Sequence, residues 1–208
     1  MLRFFEKVLL ESDFMAYFGT RELAGIAMFA ALWGVLNVTV SPAFFQAFHL
    51  PFCCDLIGFS TLILAIWWAR KVGTATFVGL IALIINMTVR PTALHFFGFF
   101  AAAIVFDVLA FFIGYKRLFE KRLLGSISLF AISVFSAAIA GLIIGSLFMT
   151  QTAITKWGGL LGWAGLHAVG GVIGGAIGVT LMNALIARGI TAKVEILKGT
   201  EGFKEGSA

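Results

Sequence analysis

A few residues able to do chemistry are set into otherwise apolar stretches of this chain. Ionisable and amide side chains inside a bilayer are costly, so each points to binding or pairing. Asn37 and Asn86 fall within about a turn of the ends of two long apolar runs, at a rise of about 1.5 Å per residue. Asp55 opens another run, and Arg90 and His95 flank a short connection. His167 lies about two turns into the last run, with Trp163 one turn before it. Gln46, His49, Gln151 and Trp157 belong to two longer connections.

These residue types suit recognition of a planar heteroaromatic ring with polar edges. Trp157 or Trp163 would stack on the ring, and Asn86, His95 or His167 would bond its edges. Arg90 would meet a carboxylate or phosphate. Each also has a structural reading. Arg90 and Asp55 would form an interfacial ion pair, and Trp157 and Trp163 would join an aromatic belt. Asn37 and Asn86 would cap helix ends or bond between helices. Asp107, within "AAAIVFDVLAFF", has no cation near it in sequence, so it is either protonated or paired across helices.

The chain carries no G-x-x-x-x-G-K-[ST], H-E-x-x-H or G-x-S-x-G pattern. ATP binding through a P-loop is therefore excluded, and neither an enzymatic activity nor a metal or cofactor site is expected. Active movement of a solute would need an ATPase from elsewhere.

The elements that must position these residues are helices in a bilayer. Of 208 residues, 61% are apolar and only 12% charged, against about 25% charged in soluble domains. The expected class is all-α, a polytopic membrane protein of the cell membrane. The net charge of +5 reads as an orientation signal rather than a nucleic-acid surface. Adjacent Cys53 and Cys54 imply no disulfide framework.

Six apolar runs cover roughly 22–40, 54–69, 72–89, 93–114, 124–149 and 159–187, near the 20 or so residues a span needs. With the N-terminus inside, thirteen basic residues fall on the inner side: Arg3, Lys7, Arg21, Arg70, Lys71, Lys116, Arg117, Lys121, Arg122, Arg188, Lys193, Lys198 and Lys204. Only Arg90 and Lys156 fall outside. The positive-inside rule then puts both termini in the cytoplasm. Nearly all the polar groups gather in the outer half, and only Asp107 and Asn183 lie in the inner half.

Residues 1–19 read as an amphipathic interfacial helix, 20–189 as the six-helix bundle and 190–208 as a polar cytoplasmic tail. Glu6, Lys7, Glu11 and Asp13 interrupt any signal-peptide core, so no cleavable signal is expected.

The phrase N-x-T-V-x-P occurs twice, at Asn37–Pro42 and Asn86–Pro91. Proline lacks an N–H and disfavours helix before it, so both copies predict a helix stop at the outer interface. They also leave open a parallel repeat of the first two helix pairs.

Small residues line two helices. Ala24, Ala27, Ala31 and Gly34 smooth one face of the first run, which suggests an outside partner. Gly170, Gly174 and Gly178 form one stripe of the last run, with Gly171 and Gly175 beside it, and predict close internal packing.

With its length, its six runs, its long first outer connection and "TRELAGIAMFAALWGVLN" on the first run, the chain resembles the substrate-binding S-component of an energy-coupling factor transporter. That family meets its transmembrane coupling subunit through an Ala-x-x-x-Ala surface, matched here by Ala27 and Ala31. The resemblance implies a vitamin or vitamin precursor bound near the outer surface under the first loop, which brings Gln46 and His49 into the expected site. It also implies a coupling subunit and two ATPases as partners. The chain begins Met-Leu-Arg, not Met-His, which argues against the nickel and cobalt branch. A pyrimidine-type precursor is the preferred ligand. Two alternatives stand beside this reading. One is a b-type cytochrome with His95 and His167 as axial ligands. The other is a non-catalytic structural subunit of a membrane complex.

Overall fold

A computed structural model describes residues 17–48, 50 and 52–190. The expected interfacial helix at the N-terminus, His49 and the C-terminal tail therefore lie almost wholly outside the described residues. Within them the chain is helical: α1 Thr20–Phe48, α2 Cys53–Ala69, α3 Thr74–Val89, α4 Phe96–Ile113, α5 Tyr115–Glu120, α6 Arg122–Leu147, α7 Gln151–Thr155 and α8 Gly159–Ala187. No strand occurs among the described residues.

Four helices, α1, α4, α6 and α8, are long and apolar enough to cross a membrane. The six apolar runs all become helices, but α2 and α3 have 17 and 16 residues. At about 1.5 Å per residue they reach only about 24–26 Å, short of a hydrocarbon core of about 30 Å.

The two N-x-T-V-x-P phrases behave differently, which corrects the expectation of two stops. At the second, α3 ends at Val89, the Arg90 N–H bonds to the Asn86 carbonyl at 2.8 Å, and turns follow Pro91. At the first, α1 runs through Pro42 for six more residues to Phe48. Around Pro42, Ser41 donates to Asn37 Oδ1 at 2.7 Å and Thr39 to the Val35 carbonyl at 2.7 Å. Beyond it, Phe44 packs on Phe48 and Phe52 with ring centroids 4.8 and 5.5 Å apart. Apolar packing after the proline outweighs the single backbone bond it removes. Gln46 consequently stands on the last turn of α1, exposed, rather than in a loop.

The long helices form a closed ring in the order α1, α3, α4, α6, α8, α2. Helix α2 is the most enclosed, with twelve of its seventeen residues buried, as expected of a helix apolar all round. The exterior carries large exposed apolar side chains, among them Met28, Ile84, Phe112, Leu123, Phe135 and Leu181.

Contacts at the helix ends show that successive long helices alternate in direction. At one end Lys71 pairs with Glu22 at 2.6 Å, the Trp68 indole donates to the Arg21 carbonyl at 3.2 Å, and Arg122 Nε donates to Asn183 at 3.2 Å. At the other, Phe44 meets Phe52, and Phe97 stacks on Phe148 at 6.4 Å. Of the described cations, Arg21, Arg70, Lys71, Lys116, Arg117, Lys121, Arg122 and Arg188 belong to the first end, and only Arg90 and Lys156 to the second.

Asp107 is paired across helices. Its Oδ2 accepts from the Thr76 N–H at 3.1 Å and the Thr76 hydroxyl at 2.8 Å, and its Oδ1 from the Tyr115 hydroxyl at 3.3 Å. Helix α3 begins after Gly73, which has no side chain to cap with. A carboxylate from α4 therefore serves the free N–H groups of α3, where the helix dipole also favours negative charge. Burial, and then the neighbouring carboxylate, raise the Tyr115 phenol above its ordinary value, so it stays a donor.

Candidate functional site

The stripe Trp163, His167, Gly170, Gly174 and Gly178 follows i, i+4, i+7, i+11 and i+15, so it lies on one face of α8. This face meets α2 with almost no space between the backbones. A Cβ on Gly170 would fall 2.6 Å from Asp55 Cβ, and one on Gly174 2.9 Å from the Asp55 carbonyl oxygen. The neighbouring stripe meets α6: a Cβ on Gly171 would fall 2.6 Å from Ala137 Cβ. Internal packing of α8 thus proceeds as its glycines predict.

At this crossing His167 Nδ1 stands 2.7 Å from Asp55 Oδ2, with the two side chains 3% and 0% exposed. The contact is at ion-pair and hydrogen-bond distance, with the ring N–H off its ideal line, while Asp55 Oδ1 and His167 Nε2 have no partner. Removing one member of such a buried pair typically costs about 3–5 kcal/mol. The Arg90–Asp55 pair considered from sequence does not form. Arg90 is exposed after the last turn of α3, while Asp55 is fully buried against α8.

From His167 a chain of rings leads outward. Trp163 lies edge-on at 5.5 Å between centroids and Phe99 at 5.7 Å. Phe99 touches His95 at 6.4 Å, and His95 lies 4.6 Å from Phe96. Three expected site residues, His95, Trp163 and His167, are therefore joined through Phe99, a residue that sequence reasoning passed over. The Phe99 ring contacts both imidazoles, the two that the cytochrome alternative takes as axial ligands.

Asn86 reaches the same cluster from α3. Its Nδ2 donates to the Ala82 carbonyl at 2.7 Å, which leaves Oδ1 buried without a partner. It lines a void with Trp33, Gly79, Ala82, Leu83, Phe96, Phe99 and Phe100. The gap among them has no room for a water molecule, far from the roughly 300–1,000 Å³ usual for ligand pockets.

The other expected residues stand apart. Trp157 follows α7, half-buried against the apolar core, with its carbonyl against Gly162. Gln46 and Arg90 are exposed, and His49 lies outside the described residues. On the expected partner face, Ala24, Ala27 and Ala31 are exposed beside Met28, Leu32 and Val35. Gly34 turns inward, where a Cβ would come 2.9 Å from Ile85.

The arrangement offers aromatic faces and buried hydrogen-bonding groups. Among the described residues no group of three or more His, Cys, Asp or Glu side chains could hold a metal ion. No protein-family model, no curated protein and no solved structure matches the chain.

Proposed function

We propose that the protein is the substrate-binding S-component of an energy-coupling factor transporter. It captures a small vitamin-like or heteroaromatic solute from outside the cell, for uptake driven by a separate coupling subunit and ATPases. In this reading all six long helices cross the cell membrane. Helices α2 and α3 are short spans held within the ring, and both termini are cytoplasmic.

The carrying observation is a segregation of polar groups. Eight of the ten described cations lie at one end of the bundle, as cytoplasmic loops require. Asp55, Asn86, His95, Trp163 and His167 gather under the other end, inside the ring rather than on its apolar exterior. The exposed Ala24, Ala27 and Ala31 supply a face of α1 that another helix could approach closely.

The test is to purify the tagged full chain from a host expressing a coupling subunit and its ATPases, and to identify co-purifying small molecules by mass spectrometry. The expected result is a complex holding a small organic solute, disrupted by Ala27→Leu with Ala31→Leu. A chain that never associates with the coupling subunit and carries no small molecule would refute the reading.

A further inference from the structure

We propose that the short helix α5, with the ends of α4 and α6 beside it, is a docking surface for anionic phospholipid, its phosphate held by Lys116, Arg117 and Lys121 and its acyl chains lying on Phe112 and Leu123.

The sequence makes α5 two-faced. At 3.6 residues per turn, Tyr115, Leu118 and Phe119 share one side, and Lys116, Arg117 and Glu120 the other, with Lys121 next in line at the C-cap. The apolar side is anchored in the fold. Leu118 is 1% exposed. The α6 backbone lies so close that a Cβ on Gly125 would run into the Leu118 carbonyl oxygen. From α2, the Arg70 guanidinium lies 5.3 Å over the Phe119 ring. The charged side of α5 is thereby held in a fixed place between the ends of two long helices.

The other cations at this end serve the fold. Lys71 pairs with Glu22, Arg122 bonds to Asn183, and Arg21 lies 4.4 Å over the Trp68 ring. Lys116, Arg117 and Lys121 do not: all three are exposed, and their side chains have no ion pair or hydrogen bond among the described residues. One carboxylate, Glu120, stands among the three cations. Within four residues of them, on either side in the chain, the surface turns strongly apolar, with Phe112 and Leu123 each 77% exposed and Phe111 and Leu124 about half exposed. Orientation in a membrane asks only for positive charge on one side. It does not ask that unpaired cations be mounted on a docked helix beside exposed aromatic and aliphatic side chains. An anionic phospholipid fits both halves, since basic residues at a membrane surface attract its headgroup. An acidic segment of a soluble protein would meet the cations and leave the apolar rim uncovered.

Native mass spectrometry of the purified full chain tests this, in detergent with equimolar phosphatidylglycerol and phosphatidylcholine of the same acyl chains. Phosphatidylglycerol should be retained about tenfold over phosphatidylcholine. Lys116→Gln with Arg117→Gln and Lys121→Gln should bring the ratio close to one. The charge-matched set Arg188→Gln, Lys193→Gln and Lys198→Gln should leave the preference in place. An equal loss in both sets, or no preference in the parent, would overturn the proposal. Free glycerol phosphate at the lipid's concentration should not displace the lipid; displacement would show that the apolar rim is unused and would also overturn it. So would Lys116 and Lys121 shielded from an amine-reactive reagent by a coupling subunit and its ATPases but not by phosphatidylglycerol. This surface takes nothing from the transport reading except which leaflet it meets. Lost lipid preference with intact coupling-subunit association overturns the lipid surface alone, and lipid preference without association overturns the transport reading alone.

Discussion

Asp107 offers the sharpest separation of architecture from function. Asp107→Ala removes the acceptor for three donors: the Thr76 N–H, the Thr76 hydroxyl and the Tyr115 hydroxyl. Each buried donor left unsatisfied costs about 1–3 kcal/mol. Thr76 is only partly buried, and its hydroxyl can turn to another acceptor, so the sum should fall at about 3 kcal/mol. Asp107→Asn keeps an oxygen for the N–H of Thr76 and loses the charge at the start of α3, a change of about 1 kcal/mol. For a chain of this size, about 2–4 °C in Tm accompanies each kcal/mol. Thermal unfolding of the purified protein should therefore show Asp107→Ala about 6–12 °C below the parent and Asp107→Asn about 2–4 °C below. Neither should alter solute affinity once the protein is folded. If both variants melt with the parent, the cross-helix cap contributes nothing. If Asp107→Asn abolishes uptake at full stability, the carboxylate has a part in transport and the structural assignment is wrong.

Gly170→Ala should lower stability by about 1–3 kcal/mol through overpacking at the α2–α8 crossing. Gly165→Ala, on the same helix with open space around it, should be neutral or gain up to about 1 kcal/mol from helix propensity; equal effects in a denaturation series would refute the close approach. Pro42→Ala should raise the melting temperature, since a proline inside a helix forfeits a backbone bond, whereas Pro91→Ala, beyond the end of α3, should not; the reverse order in thermal scans would contradict the assigned helix ends. In a Cys53→Ala, Cys54→Ala background, Arg90→Cys should react with an impermeant maleimide on intact cells and Lys121→Cys only after permeabilisation. Labelling of both from one side would refute the proposed orientation.

The ends of the bundle were legible because charge and hydropathy are one-dimensional signals. The runs became helices, the cations sorted to one end, and the two glycine stripes of α8 predicted its close neighbours. What escaped was three-dimensional pairing. Sequence position pairs Asp55 with Arg90, the cation at the same end of the bundle, whereas the i, i+4, i+7 relation of Trp163, His167 and Gly170 places His167 on the crossing face. That relation was the signal available for the pair. Phe99 gave no signal, since one phenylalanine among 23 is distinguished only by what surrounds it. Pro42 misled because a local rule weighs one backbone bond and cannot see Phe44 packing on Phe52.

The glycines and the buried Asp55–His167 contact are parts of one arrangement. An Asp and a His taken out of water lose several kcal/mol of solvation each, and proximity alone does not restore it. A wider helix crossing would leave room for water, and water would satisfy both groups. Gly170 and Gly174 close that room by letting the α8 backbone lie against Asp55, so the carboxylate faces His167 at 2.7 Å with the Trp163 and Phe99 rings against the imidazole. A polar pair kept dry and incompletely bonded is poorly suited to holding a bundle together, because an apolar pair of the same volume would often hold it better. In the proposed reading, a solute reaching this pair would meet groups whose desolvation has already occurred.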